Sequence, residues 1–296
     1  MLQYPNINPV AFELGPLTVH WYGVTYLFAF LAGWWLAKYR ARQPNSGWKE
    51  EEIGDIVFYI VLGVIFGGKI GSILFYQTDS LFENPLQTLN PINMFTSGGM
   101  SFHGGFLGVL VAFFWYAKVT GRTFFQVADF IAPAFPIGMG AGRIGNFING
   151  ELWGRPTDVP WGMVFPAVDQ QARHPNQIYQ FIGEGIVLFL IVWIFSRKPR
   201  PTMAVSGVFA LTYGVYRFLI EFVREPDDHL GFIAMEWVTM GQLLSLPMII
   251  AGVLALWFAY SRQVDNPSTI ESAQNSAMNK SKGKTKVKNK ATRKKS

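Results

Sequence analysis

Tyr213, Arg217, Glu221 and Arg224 stand four, four and three residues apart in an otherwise apolar stretch. On a helix this spacing puts all four along one face. An ionised group at membrane depth needs a partner or a ligand. Either Arg217 and Glu221 form a pair that satisfies only itself, or the spare guanidinium donors and Arg224 build an anion site or a supporting network. A second polar stretch reads Gly142-Arg143-Ile144-Gly145-Asn146-Phe147-Ile148-Asn149-Gly150-Glu151-Leu152-Trp153-Gly154. Arg143, Asn146 and Gly150 share a face if the helix runs that far. Glycines let a lipid or a second backbone come close, while Arg and Asn offer donors suited to phosphate or hydroxyl oxygens. Packing through small residues would explain the glycines but not Arg143. Together with Arg217 on another segment, Arg143 suggests a two-arginine clamp on a phosphate.

His103 sits in Gly98-Gly99-Met100-Ser101-Phe102-His103-Gly104-Gly105. Neutral imidazole is the natural base near pH 7, and a hydrogen-bonded structural histidine is the alternative. Lys69 could bind a headgroup phosphate or snorkel to the interface. His20 is a further ionisable candidate, Asp129 and Glu184 are weaker ones, and Glu151 and Arg224 stand near the outer edge. The four histidines have no metal-ligand spacing, and neither a phosphate-cradling GxxxxGK[ST] loop nor a GxSxG elbow is present. With no cysteine in the chain, any thiol in the chemistry belongs to a substrate.

The elements that must hold these residues follow from composition. The chain of 296 residues is 50% hydrophobic and only 15% charged, against about 25% charged in soluble domains. Its apolar residues fall in runs of spanning length, near 18–37, 54–76, 99–117, 124–146, 178–196, 203–222 and 238–260. The expected fold is therefore all-α, a polytopic membrane protein with about seven transmembrane helices. The first run lacks a preceding basic region and is followed by Lys38, Arg40 and Arg42, so it reads as a retained anchor rather than a cleavable signal. Alternate connections carry Lys38–Lys49, Lys118 with Arg122, and Arg197 to Arg200, which places the N-terminus outside and the C-terminus inside. The outer connections near 77–98 and 148–177 are long and rich in Pro, Asn, Trp and Gly, as interfacial loops or as a cap over an outward-facing site. The membrane domain, 1–260, holds 15 Lys and Arg against 17 Asp and Glu; the tail, 261–296, holds 10 against 2. The tail reads as disordered and solvated on the inner side, and no nucleic-acid partner is expected.

The polar stretches resemble the prolipoprotein diacylglyceryl transferase family. The thirteen positions Gly142–Gly154 match its signature, and the likeness extends to His20-Trp21-Tyr22-Gly23, the glycines around His103, Arg173-His174-Pro175 and the run Tyr213–Pro226. The resemblance implies transfer of the diacylglyceryl group of phosphatidylglycerol to the lipobox cysteine of a prolipoprotein signal peptide. A thioether forms and glycerol 1-phosphate is released at the outer side of the bacterial inner membrane, without a cofactor or metal. It implies Tyr22, His103, Arg143, Asn146, Glu151, Gly154, Arg217 and Glu221 as the functional set, with Tyr213 and Arg224 beside them at the lipid headgroup. A transporter of an anionic substrate, using the same arginines, is the competing reading.

Overall fold

In a computed structural model, residues 2–261 are described except 16, 45, 97–98 and 227–230. The basic tail beyond 261, with Gly98 of the third polar stretch, lies outside the described residues. Helix occupies every one of the seven expected stretches. Helix α1 is Trp21–Ala41 and α2 is Glu52–Tyr76, followed by the short α3 Thr78–Glu83, α4 Pro85–Thr88 and α5 Pro91–Thr96. Helix α6 is Phe102–Thr120, and α7 Phe124–Ile131 passes through a 3₁₀ turn at Ala132–Ala134 into α8 Phe135–Asn149. Helix α9 Asn176–Gln180 continues through a π segment, Phe181–Val187, into α10 Leu188–Ser196; α11 is Ala204–Ile220 and α12 is Met240–Ser261. Five are long and apolar enough to cross a bilayer: 52–76, 102–120, 124–149, 176–196 and 240–261. The protein is a mostly helical, multi-pass membrane protein. Large apolar side chains point outward along these helices, including Leu27, Phe58, Phe114, Ile194 and Trp257.

The all-α expectation needs one correction. Strands β1 Leu2–Gln3, β4 Met163–Val164 and β5 Ala172–Arg173 form a small sheet in the order β1-β4-β5, and β2 Val10–Leu14 pairs with β3 Leu17–His20 as a hairpin. Apart from β3, which overlaps the start of the first apolar run, these segments lie outside the runs, where backbone groups must find partners among themselves or in water.

Residues 1–47 with 129–296 form one unit and 48–128 another. In the first, α8 packs against α1 and the π segment, and α11 against α12. Glycines set both approaches. A Cβ on Gly140 would lie 3.0 Å from the Gly185 Cα, and one on Gly252 would lie 2.5 Å from the Leu211 nitrogen. Asp129 joins two elements of this unit by capping α11. Its carboxylate accepts from the Met203 and Ser206 N–H groups, both at 2.7 Å, and from the Ser206 hydroxyl at 2.5 Å. In the second unit α2 and α6 meet through Gly63, Gly67 and Gly71 facing Gly104 and Gly108. A Cβ on Gly71 would lie 2.5 Å from the Gly104 Cα, so only this small-residue pattern admits the contact.

Candidate functional site

Helix α8 ends at Gly150, whose φ of 67° is the left-handed cap that glycine adopts at little cost. The Tyr4 hydroxyl lies 2.8 Å from the last-turn carbonyls of Phe147 and Ile148, fixing this end. Arg143 and Asn146 therefore share a face, as their spacing predicts. The close Gly140–Gly185 contact brings the π segment alongside, and Arg143 Nε donates to Glu184 Oε2 at 2.8 Å. Glu184 is 0% exposed. Such a carboxylate is tolerable only when paired, and the pairing fixes the guanidinium plane. Arg143 Nη1 reaches Asn146 Oδ1 at 3.4 Å, Asn146 Nδ2 donates to Glu151 Oε1 at 2.8 Å, and Asn149 Nδ2 reaches the same oxygen at 3.3 Å. The buried Gln177 donates to the Glu151 carbonyl at 2.6 Å, anchoring the turn from the start of α9.

On α11 the Arg217–Glu221 pair exists but is not self-contained. Glu221 Oε1 accepts from both Arg217 Nη1 and Arg224 Nη1, the latter at 3.3 Å, while Oε2 accepts from the Thr239 hydroxyl at 2.5 Å. Arg155 ties the loop that follows α8 to this end, donating through Nε to the Arg224 carbonyl at 2.9 Å and through Nη2 to the Glu221 carbonyl at 3.1 Å. Gly154 lies between, its N–H bonded to the His174 carbonyl at 2.9 Å. A Cβ there would fall 2.6 Å from both the His174 Cβ and the Val223 oxygen, which is why glycine is required.

Tyr213 lies within electrostatic reach of Arg143, Arg217, Glu184 and Glu221 together. The Tyr22 hydroxyl lies 3.5 Å from that of Tyr26 and feels the charges of Glu151 and Arg143. A Cβ on Gly145 would lie 2.5 Å from the Tyr22 ring, so the signature glycine seats that ring. Arg143 uses Nε and Nη1, and Arg217 uses Nη1. Among the described residues no hydrogen bond takes their other guanidinium nitrogens. Those are donors a phosphate can use.

His103 belongs to the second unit. It stands exposed on the first turn of α6, after Ser101, whose hydroxyl caps Gly104 N–H at 3.2 Å. It lines an open apolar cleft with Phe75, Tyr76, Phe106 and Leu107. Lys69 is half-buried on α2 of the same unit. Glu184, a weaker candidate by sequence, pairs with Arg143, and the network also takes in Arg155, Gln177 and Thr239, which are not among the sequence candidates. Only the last had a visible signal, a Thr-x-x-Gln pattern at the start of a helix.

The fold and site define a multi-pass membrane protein with two carboxylate-anchored arginines suited to an anionic ligand. The profile of the family described as prolipoprotein diacylglyceryl transferase matches residues 9–258, and the chain belongs to that family. It is 54% identical over 276 residues to the phosphatidylglycerol–prolipoprotein diacylglyceryl transferase of Pseudomonas syringae pv. syringae (strain B728a), covering 92% of this chain and 100% of the relative. The protein of the same name from Pseudomonas fluorescens (strain SBW25) is 56% identical over 265 residues, 88% of this chain and 97% of the relative. That of Ectopseudomonas mendocina (strain ymp) is 54% identical over 264 residues, 89% and 98%. These relatives lend no support to the transporter reading.

Proposed function

We propose that the protein transfers the diacylglyceryl group of phosphatidylglycerol to the thiol of a prolipoprotein's lipobox cysteine. The observation that carries this reading is the pair Arg143 and Arg217. Each is fixed by a buried carboxylate, and each keeps donors to spare. Two guanidinium groups so arranged hold a phosphate and stabilise the charge that grows on it as it leaves. Asn146, Tyr22 and Tyr213 hydrogen-bond the headgroup, with Gly154 and Arg224 at the same end. Glu184 and Glu221 orient the arginines and offset their charge, and Glu151 acts on Arg143 through Asn146 rather than directly.

The substrate thiolate attacks the glycerol carbon that bears the phosphate. The carbon–sulfur bond forms as the carbon–oxygen bond breaks, glycerol 1-phosphate departs, and His103 accepts the thiol proton, directly or through water. The lipid enters sideways from the bilayer, and the apolar signal peptide arrives from the same medium. In this reading the chain crosses the inner membrane seven times with its N-terminus outside. The site faces the periplasm, the connections 77–98 and 148–177 lie on that outer face of the catalytic domain 1–260, and the 261–296 tail lies in the cytoplasm. The positive-inside pattern supports that orientation.

Purified protein given labelled phosphatidylglycerol and a lipobox peptide should yield a thioether-linked diacylglyceryl peptide. An acyl-peptide, or lipid uptake without covalent change, would overturn the proposal.

A further inference from the structure

We infer that Thr239 and Gly241, at the first turn of α12, are positioning residues for Arg217, acting through Glu221. The inference rests on the transferase reading above. Thr239-Met240-Gly241-Gln242 forms a reciprocal cap, in which the Gln242 N–H donates to Thr239 Oγ1 at 3.2 Å and the Thr239 N–H to Gln242 Oε1 at 3.0 Å. The same Thr239 hydroxyl donates its one proton to Glu221 Oε2 at 2.5 Å. Accepting from the cap and donating to the carboxylate, the hydroxyl aims its single proton at Glu221.

Gly241 fixes the carboxylate from its other side. A Cβ there would lie 2.5 Å from the Glu221 Cδ and 2.7 and 2.8 Å from its oxygens. The carboxylate therefore lies directly on the first turn of α12, where the unpaired N–H dipoles favour negative charge. One oxygen is tied to α12 and the other to Arg217 and Arg224, and the residue is 1% exposed. Arg217 thus takes its place from the start of a different helix, which the spacing within α11 does not reveal.

Thr239→Val, Thr239→Ser and Gly241→Ala test this through KM for each substrate and the rise in Tm on adding phosphatidylglycerol. Thr239→Val, losing a hydrogen bond to a charged group, should raise the lipid KM about tenfold or more and leave the peptide KM unchanged. Thr239→Ser should return it to within about twofold. Gly241→Ala should raise the lipid KM although alanine favours the helix. A wild-type lipid KM and Tm rise in both Thr239→Val and Gly241→Ala would overturn the proposal while leaving the transferase reading in place. Equal damage by Val and Ser to both substrates would reduce Thr239 to a helix cap and also overturn it. If the wild type makes no thioether product but its lipid-dependent Tm rise shrinks in Val and returns in Ser, the transferase reading fails and the positioning role stands. A wild type that neither transfers nor responds to the lipid defeats both.

Discussion

A guanidinium that donates through Nε to Glu184 and through Nη1 to Asn146 has a fixed plane, which a lysine ammonium at the end of a flexible stem cannot reproduce. Arg143→Lys keeps the charge but leaves Glu184 buried against a misplaced partner. We expect transfer to fall by about a hundredfold or more, in the range seen when one preorganised donor is removed. A fully active lysine variant would rule out planar recognition of the phosphate. His103 is tested separately, because the arginines themselves stabilise anions and a thiolate forms more readily beside them. His103→Gln should cut transfer about a hundredfold near pH 7 and flatten the rise of activity with pH. Near wild-type rates with an unchanged profile would remove it from the base role. At this scale the sequence was most informative where an isolated charge was energetically out of place. Arg143, Arg217 and Glu221 stand out for that reason. Glu184 did not, because its partner is 41 residues away and the bond exists only once α8 meets the π segment. Asp129 is equally charged, yet its oxygens are consumed by the α11 cap.

Elements, rather than single residues, decide whether the loop after α8 stays against the end of α11. The loop from Glu151 to Pro175 is pinned by backbone bonds, among them Gly154 N–H to the His174 carbonyl at 2.9 Å and His174 N–H to the Arg155 carbonyl at 3.0 Å. Burial pulls the His174 imidazole below its usual value. The folded loop thus prefers neutral His174. Its contribution is complete above about pH 6.5, the ordinary histidine value, and is lost as pH falls through the lower folded value. Asp169 stays ionised across that range, since the hydrogen bond from Arg173 holds its carboxyl below the ordinary value. We expect hydrogen-exchange protection of the Gly154 amide, corrected for intrinsic rates, to drop between about pH 7.5 and about pH 5.5. His174→Gln should show no such drop; an unchanged drop would assign the effect to another group. Each of the seven apolar runs contains helix, and five of these helices have the length and hydropathy to cross a bilayer. Two-residue strands such as Met163–Val164 are too short to show alternation, and the π segment has no periodicity of its own to read.

The whole molecule carries its charge asymmetrically, and orientation decides what each end meets. A membrane domain with 15 basic and 17 acidic residues precedes a tail with 10 against 2. Ending the chain after Ser261 should leave transfer within about twofold, because a sequence so rich in Lys and poor in apolar residues has little with which to build a folded surface. A large loss would give the tail a part in catalysis. Orientation has a cleaner test, because the chain contains no cysteine and any introduced thiol is unique. Gln43, Gln170 and Lys198 are all exposed and lie in three different connections. With the basic connections inside, Gln170→Cys should react with a membrane-impermeant maleimide in intact spheroplasts. Gln43→Cys and Lys198→Cys should react only after permeabilisation. The opposite pattern would turn the molecule over and move Arg143, Glu151 and the outer loop to the cytoplasmic leaflet. Labelling of Gln43→Cys and Lys198→Cys from opposite sides would instead remove one of the four spans between them, and with it the count of seven.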